Sequence, residues 1–206
     1  MALFFVGDTN KTVDLSPGGT SIAVLSDIAL APDPFGNPNG SLVLETSSSH
    51  VELENHGEID TRFSMSVFAW AHLSNSSTGP IIDYGCSMTV LHSTLGVEVI
   101  FKERHTSKSY LLHKKGVLKA NSWNFIGFTY EYYSGVATIW VNENIVIREL
   151  LLAKMELATY ENVIVGASKN RKMQFRGQIS CLQFYEQALS VDQIIKVKAR
   201  CNKTGK

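Results

Sequence analysis

Asn121-Ser122-Trp123-Asn124-Phe125-Ile126-Gly127-Phe128-Thr129-Tyr130 leads through Tyr132-Tyr133-Ser134-Gly135 into Val136-Ala137-Thr138-Ile139-Trp140-Val141-Asn142. Both arms are rich in aromatic and β-branched residues, which suit a pleated, half-buried surface. From Thr138 to Asn142 polar and apolar residues alternate, the period of a strand with one face in a core. Gly135 supplies the positive φ that a tight antiparallel connection demands. The stretch predicts a β-hairpin with Tyr132 and Tyr133 at its tip.

The same texture extends outward in both directions. Residues 41–45, 50–53, 63–73, 81–84, 87–92 and 97–102 read as strands before the hairpin, with 110–113 a weaker one; residues 145–148, 163–165 and 178–185 read as strands after it. Short extended segments divided by turn residues indicate a sandwich or barrel, not βαβ units. Residues 63–73 are apolar on both faces, Phe63, Met65 and Val67 against Phe68 and Trp70, which predicts a central strand covered on both sides. Residues 32–40 contain Pro32, Pro34 and Pro38 and cannot sustain a ladder, so they predict a surface loop. In the N-terminal extension, residues 21–25 form one further strand candidate. Near the C-terminus Ser190 and Gln193 have the spacing of a capping box, and Val191, Ile194, Ile195 and Lys198 share a face, which predicts one short helix. The expectation is a single all-β domain over 1–206: an extension at 1–39, a two-sheet antiparallel sandwich at 40–201 and a tail at 202–206.

Apolar residues make up 44% of the chain and charged residues 18%, enough to bury a sizeable core. Lysine plus arginine equals aspartate plus glutamate, 19 of each, so no global field draws the chain to nucleic acid or an anionic membrane. No apolar run approaches the roughly 18 residues that span a bilayer, which argues against direct membrane insertion; a secretion signal, if the protein has one, is trimmed here. Four N-x-[ST] glycosylation acceptors, Asn10, Asn39, Asn75 and Asn202, fall in loop-like stretches and favour the secretory pathway. The three cysteines, Cys86, Cys181 and Cys201, contain no C-x-x-C motif and allow at most one intrachain bridge.

In their order, these segments resemble the laminin-G-like, or concanavalin-A-like, jelly roll that pentraxins share. The resemblance runs from about Gly40 to Cys201. It rests on the hairpin above, on Phe63-Ser64-Met65-Ser66-Val67-Phe68-Ala69-Trp70, and on the closing run Val165-Gly166, Phe175-Arg176-Gly177-Gln178-Ile179 and Ala188-Leu189-Ser190-Val191-Asp192-Gln193-Ile194. It implies an extracellular or cell-surface module and a bridge between Cys181 and Cys201, with two unpaired buried thiols as the alternative. Closing that loop would contribute about 3 kcal/mol. Cys86 reads as a small buried apolar residue.

Pentraxin relatives hold calcium with acidic and amide side chains, because a hard cation needs roughly six to eight oxygens. The corresponding loop here reads Gly166-Ala167-Ser168-Lys169-Asn170-Arg171-Lys172, with three cations and no acid, and Asp83 is a lone carboxylate. No cofactor is expected, a single calcium ion held by carbonyls and water being the one exception the fold would allow. Glycoside hydrolases of this fold need two flanking carboxylates. Glu52 and Glu54 alternate, but at a strand edge where they read as solvent-facing charges, and no nucleophile signature occurs. His72, His92, His105 and His113 show no ligand spacing.

Two features offer binding chemistry. Tyr132 and Tyr133 present flat aromatic surface to a sugar or a protein, unless one ring packs down on the sandwich. Lys169, Arg171 and Lys172 suit sulfate or carboxylate groups, unless they form only a solvated basic turn. The sequence points to a non-catalytic recognition or adhesion module for a glycan or an extracellular protein. Its alternatives are a pentraxin-like oligomerisation domain and, more remotely, a glycoside hydrolase relative.

Overall fold

The computed structural model describes residues 7–8, 11–12, 23–57, 60–74 and 78–202. Asn10 and Asn75 lie outside them. The chain begins with β1 (Gly7–Asp8), β2 (Lys11–Thr12), β3 (Ala23–Ser26), β4 (Ala29–Ala31), β5 (Ser41–Leu44) and β6 (His50–Leu53). There follow β7 (Met65–Leu73), β8 (Gly79–Tyr84), β9 (Cys86–Leu91), β10 (Gly96–Lys102) and β11 (Ser109–Lys114). The hairpin strands are β12 (Trp123–Tyr130) and β13 (Val136–Val141), and the chain closes with β14 (Asn144–Leu150), β15 (Val163–Val165), β16 (Gly177–Tyr185) and helix α1 (Val191–Lys198).

Two seven-stranded antiparallel sheets result. Sheet I runs β11-β10-β9-β8-β15-β6-β3 and sheet II runs β14-β13-β12-β7-β16-β5-β4. This is the jelly-roll sandwich expected, since alternate side chains of each strand enter one shared core. Val97, Val99 and Phe101 of β10 face Ile126, Phe128 and Tyr130 of β12 across it, and Phe101 meets the Phe128 ring edge-on at 5.2 Å. Strand β4 had no clear signal in sequence. It is three residues long and gains its order by pairing Ala29 to Ala31 with β5.

The central strand is β7, between β12 and β16, and both its faces are covered. Met65, Val67, Ala69 and Ala71 enter the inter-sheet core. Phe68 and Trp70 point outward into a second apolar cluster with Phe125, Trp140, Tyr185, Leu189, Ile194 and Val197. Helix α1 closes that cluster, burying Ile194 and Val197 and leaving Val191 and Ile195 exposed. Its predicted capping box is present in both directions between Ser190 and Gln193. Phe63 departs from the expectation for 63–73: it lies before the strand, 50% exposed, with its ring against Tyr132.

Cys181 and Cys201 are disulfide-bonded, with Cα atoms 5.9 Å apart, so the segment after α1 is tied to β16. Gln183 Nε2 donates to the Val197 carbonyl at 3.0 Å and adds a second tie. Cys86 is free and buried, and desolvation pushes its thiol pKa up, which makes it a core residue and not a reactive thiol. Gly127 is required by packing: a Cβ there would collide with the Phe68 ring and the Val67 carbonyl.

Candidate functional site

The hairpin tip is rigid for reasons visible in its hydrogen bonds. Gly135 N–H donates to the Glu131 carbonyl at 2.8 Å, and Gly135 takes φ +71°. A Cβ on Gly135 would lie 2.7 Å from the Ala153 nitrogen, so glycine is demanded by contact as well as by conformation. The Glu131 carboxylate accepts the N–H groups of Tyr133 (3.2 Å) and Ser134 (2.6 Å). The Ser134 hydroxyl, followed by those N–H groups, holds its carboxyl below the usual carboxylate range. Tyr132 N–H donates to Ser64 Oγ at 3.0 Å, anchoring the tip to the entry of β7.

The two tyrosines divide their roles. Tyr132 is half-buried, its ring edge-on to Phe63 at 5.0 Å and to Tyr133 at 5.3 Å. Tyr133 is 75% exposed. One ring packs down, the alternative that the sequence left open, and the other faces solvent.

The basic loop lies elsewhere. Lys169 N–H donates to Asp83 Oδ2 at 2.8 Å, and Arg171 Nη2 donates to Glu52 Oε2 at 2.8 Å. Asp83 and Glu52 both pair with Ile164 in adjacent strands of sheet I, so the loop is pinned across the outer face of that sheet. Lys169 Nζ also meets Glu161 at 2.5 Å. Lys169 and Arg171 are thus matched by carboxylates of this chain, while Lys172 is exposed. Glu52, expected to be a solvent-facing charge, holds the loop together with Asp83, a carboxylate with a structural role. The tyrosine tip belongs to sheet II, so the two sets of candidate residues do not converge on one site.

Asn39 is exposed, but Ser41, the hydroxyl residue of its acceptor motif, is 1% exposed and donates into the loop at the Ala31 carbonyl (2.9 Å). Asn202 is exposed just after Cys201. His72 packs edge-on against Trp123, and His105 lies 3.3 Å from Glu156. Among the described residues no three His, Cys, Asp or Glu side chains come together as a metal-ligand group, and no helix is long and apolar enough to cross a membrane.

A groove beside the tip was not read from sequence. It has a volume of about 330 Å³ on the outer face of sheet II, with Val136, Thr138 and Trp140 on its floor, Ile145 and Arg148 on one wall and the 188–191 segment on the other. Registry builds the floor: Thr129 pairs with Thr138, Thr138 with Arg148, and Trp140 with Ile145. Trp140 is 5% exposed and donates from Nε1 to Thr129 Oγ1 at 3.1 Å. Outward alternation at Val136, Thr138 and Trp140 was legible, but the opposite wall comes from the start of α1, far along the chain.

Several solved structures share the architecture. The receptor binding domain of botulinum neurotoxin D matches with a TM-score of 0.74 at 17% identity, over 97% of this chain and 52% of that one. The serotype D ligand binding domain in complex with N-acetylneuraminic acid matches at 0.74 and 16%, over 97% and 50%. The binding domain of botulinum neurotoxin DC in complex with rat synaptotagmin II matches at 0.70 and 16%, over 96% and 51%. The chain spans about half the length of these structures, and at such identity the likeness shows the fold alone. No curated protein matches the sequence. The laminin-G-type family model described as the concanavalin A-like lectin/glucanases superfamily matches residues 45–195. With that match covering most of the sandwich, the chain belongs to the concanavalin A-like lectin/glucanase superfamily, in its laminin-G-like branch.

Proposed function

We propose that this domain is an extracellular, non-catalytic recognition or adhesion module that binds a glycan or a protein partner through the hairpin tip of sheet II. The observation that carries the reading is Tyr133, a large amphipathic ring held 75% exposed on a backbone pinned by Glu131, Ser64 and Gly135. Ordering a preorganised aromatic costs little entropy on binding, which is why such rings anchor interfaces. Similar folds that engage a sialic acid or a protein receptor support a binding role. The disulfide suits an oxidising compartment. The basic loop serves this reading as a structural strap, since its Lys169 and Arg171 are matched internally. No cofactor is assigned a part.

The test is binding of the labelled full chain to a glycan array and to an array of cell-surface ectodomains, with and without calcium. Tyr133→Ala is expected to weaken any hit by about tenfold or more, as loss of an anchor ring does, without lowering stability. Undiminished binding by Tyr133→Ala would remove the tip from the assignment. Turnover of a polysaccharide by the wild-type chain would refute the non-catalytic reading.

A further inference from the structure

We infer that the groove beside the tip receives an apolar side chain of a protein partner, and that Arg148 pairs with a carboxylate flanking that side chain. The inference rests on the recognition reading above and names the class of partner.

Three observations converge. First, large exposed apolar side chains gather at the groove. Ile145 (46%) and Val191 (48%) line it, Leu150 (73%) stands beside it in register with Val136 of the floor, and Ile195 (49%) lies one helical turn beyond Val191. Exposed apolar side chains beside a groove are a mark of a contact surface. Second, the groove itself is large enough for a leucine or aromatic side chain, the geometry in which interface hot spots sit. Third, the two charged residues of the lining, Glu131 and Arg148, are differently satisfied. Glu131 directs both carboxylate oxygens at backbone N–H groups of the tip. The exposed Arg148 guanidinium has no hydrogen-bond, ion-pair or ring partner among the described residues. A carboxylate from outside is the group this cation lacks.

A saccharide fits less well. Sugar recognition favours an open aromatic face beneath the ring, whereas Trp140 is 5% exposed and its N–H is engaged by Thr129.

The experiment pans a random linear-peptide library, displayed on phage, against the immobilised full chain. Synthetic versions of the enriched peptides are then titrated by fluorescence anisotropy. Enrichment of Asp or Glu within a residue or two of Leu, Ile, Met or Phe is expected. Arg148→Glu and Val191→Asp should each weaken those peptides by about tenfold or more, and replacing the peptide acid by lysine should restore binding to Arg148→Glu. Both side chains are exposed, so the variants should melt with the wild type.

Peptides that bind Arg148→Glu as well as wild type would overturn the inference. So would NMR shifts of the Ile145 and Val191 methyls with methyl glucoside or methyl sialoside but not with peptide. Concentration-dependent dimerisation abolished by Val191→Asp would assign the groove to a second copy and also refute it. Loss of array binding in Tyr133→Ala, with the two groove variants unimpaired, would sink this inference while leaving the recognition reading standing.

Discussion

Removing the Cys181–Cys201 bridge tests how the outer cluster is held. The bond closes a loop with a sequence separation of 20 that contains all of α1. In the chain-entropy description, a loop of that size restrains the unfolded chain by about 3 kcal/mol. For a domain of this length that corresponds to a drop in Tm on the order of 6–12 °C. The Cys181→Ala/Cys201→Ala variant keeps the apolar character of two sites that are 0% and 4% exposed, so little of the loss should come from burying a polar group. The helix should remain docked, because Ile194 and Val197 still pack on the Phe68–Trp140 cluster and Gln183 still reaches the Val197 carbonyl. Calorimetry of the double variant and of wild type in dithiothreitol, with Cys86→Ala as a control for the free thiol, reads the effect. Amide exchange in α1 should accelerate more than exchange in β7. A loss below about 1 kcal/mol, or equal acceleration throughout the sandwich, would refute the loop-closure reasoning.

Gly127→Ala should cost at least about 2 kcal/mol in urea unfolding, because the added methyl meets the fully buried Phe68 ring and backbone that cannot retreat; a neutral result would mean that β7 and β12 can separate locally. Arg171→Gln breaks a pair whose partners are 34% and 30% exposed, so global stability should fall by no more than about 1 kcal/mol. Exchange at residues 168–173 should nonetheless rise, and unchanged exchange there would show that Glu52 does not hold the strap. Burial raises the phenol of Tyr130 to about 12 and raises those of Tyr84 and Tyr185 as well. Unfolded phenols ionise first, so this stabilisation is complete below about pH 10 and is lost as pH climbs through the folded values. Part of the phenolate absorbance should therefore appear only together with unfolding; full ionisation near pH 10 with the sandwich intact would contradict the burial argument.

Two-sidedness along 63–73, the glycine in the hairpin turn and the Ser190–Gln193 box were local signals, and each names a physical requirement that holds within a few residues. That is why the strands, the central place of β7 and the helix cap could be read directly. Phe63 was misplaced because strand periodicity does not mark where pairing stops. Ala29 to Ala31 was missed because three small and apolar residues carry no period; β5 alone gives them a partner.

The strands, the two-sided covering of β7 and the helix start were thus determined by the chain's own alternation and capping residues, which act before any long-range contact forms; the order of strands within each sheet was not. Only the tertiary structure decided that Tyr132 packs while Tyr133 is free, that Lys169 and Arg171 are matched by carboxylates of sheet I, and that Arg148 is not. Those outcomes depend on which distant residue arrives within a few ångströms, and a charge or ring has the same appearance in sequence whether or not its partner comes.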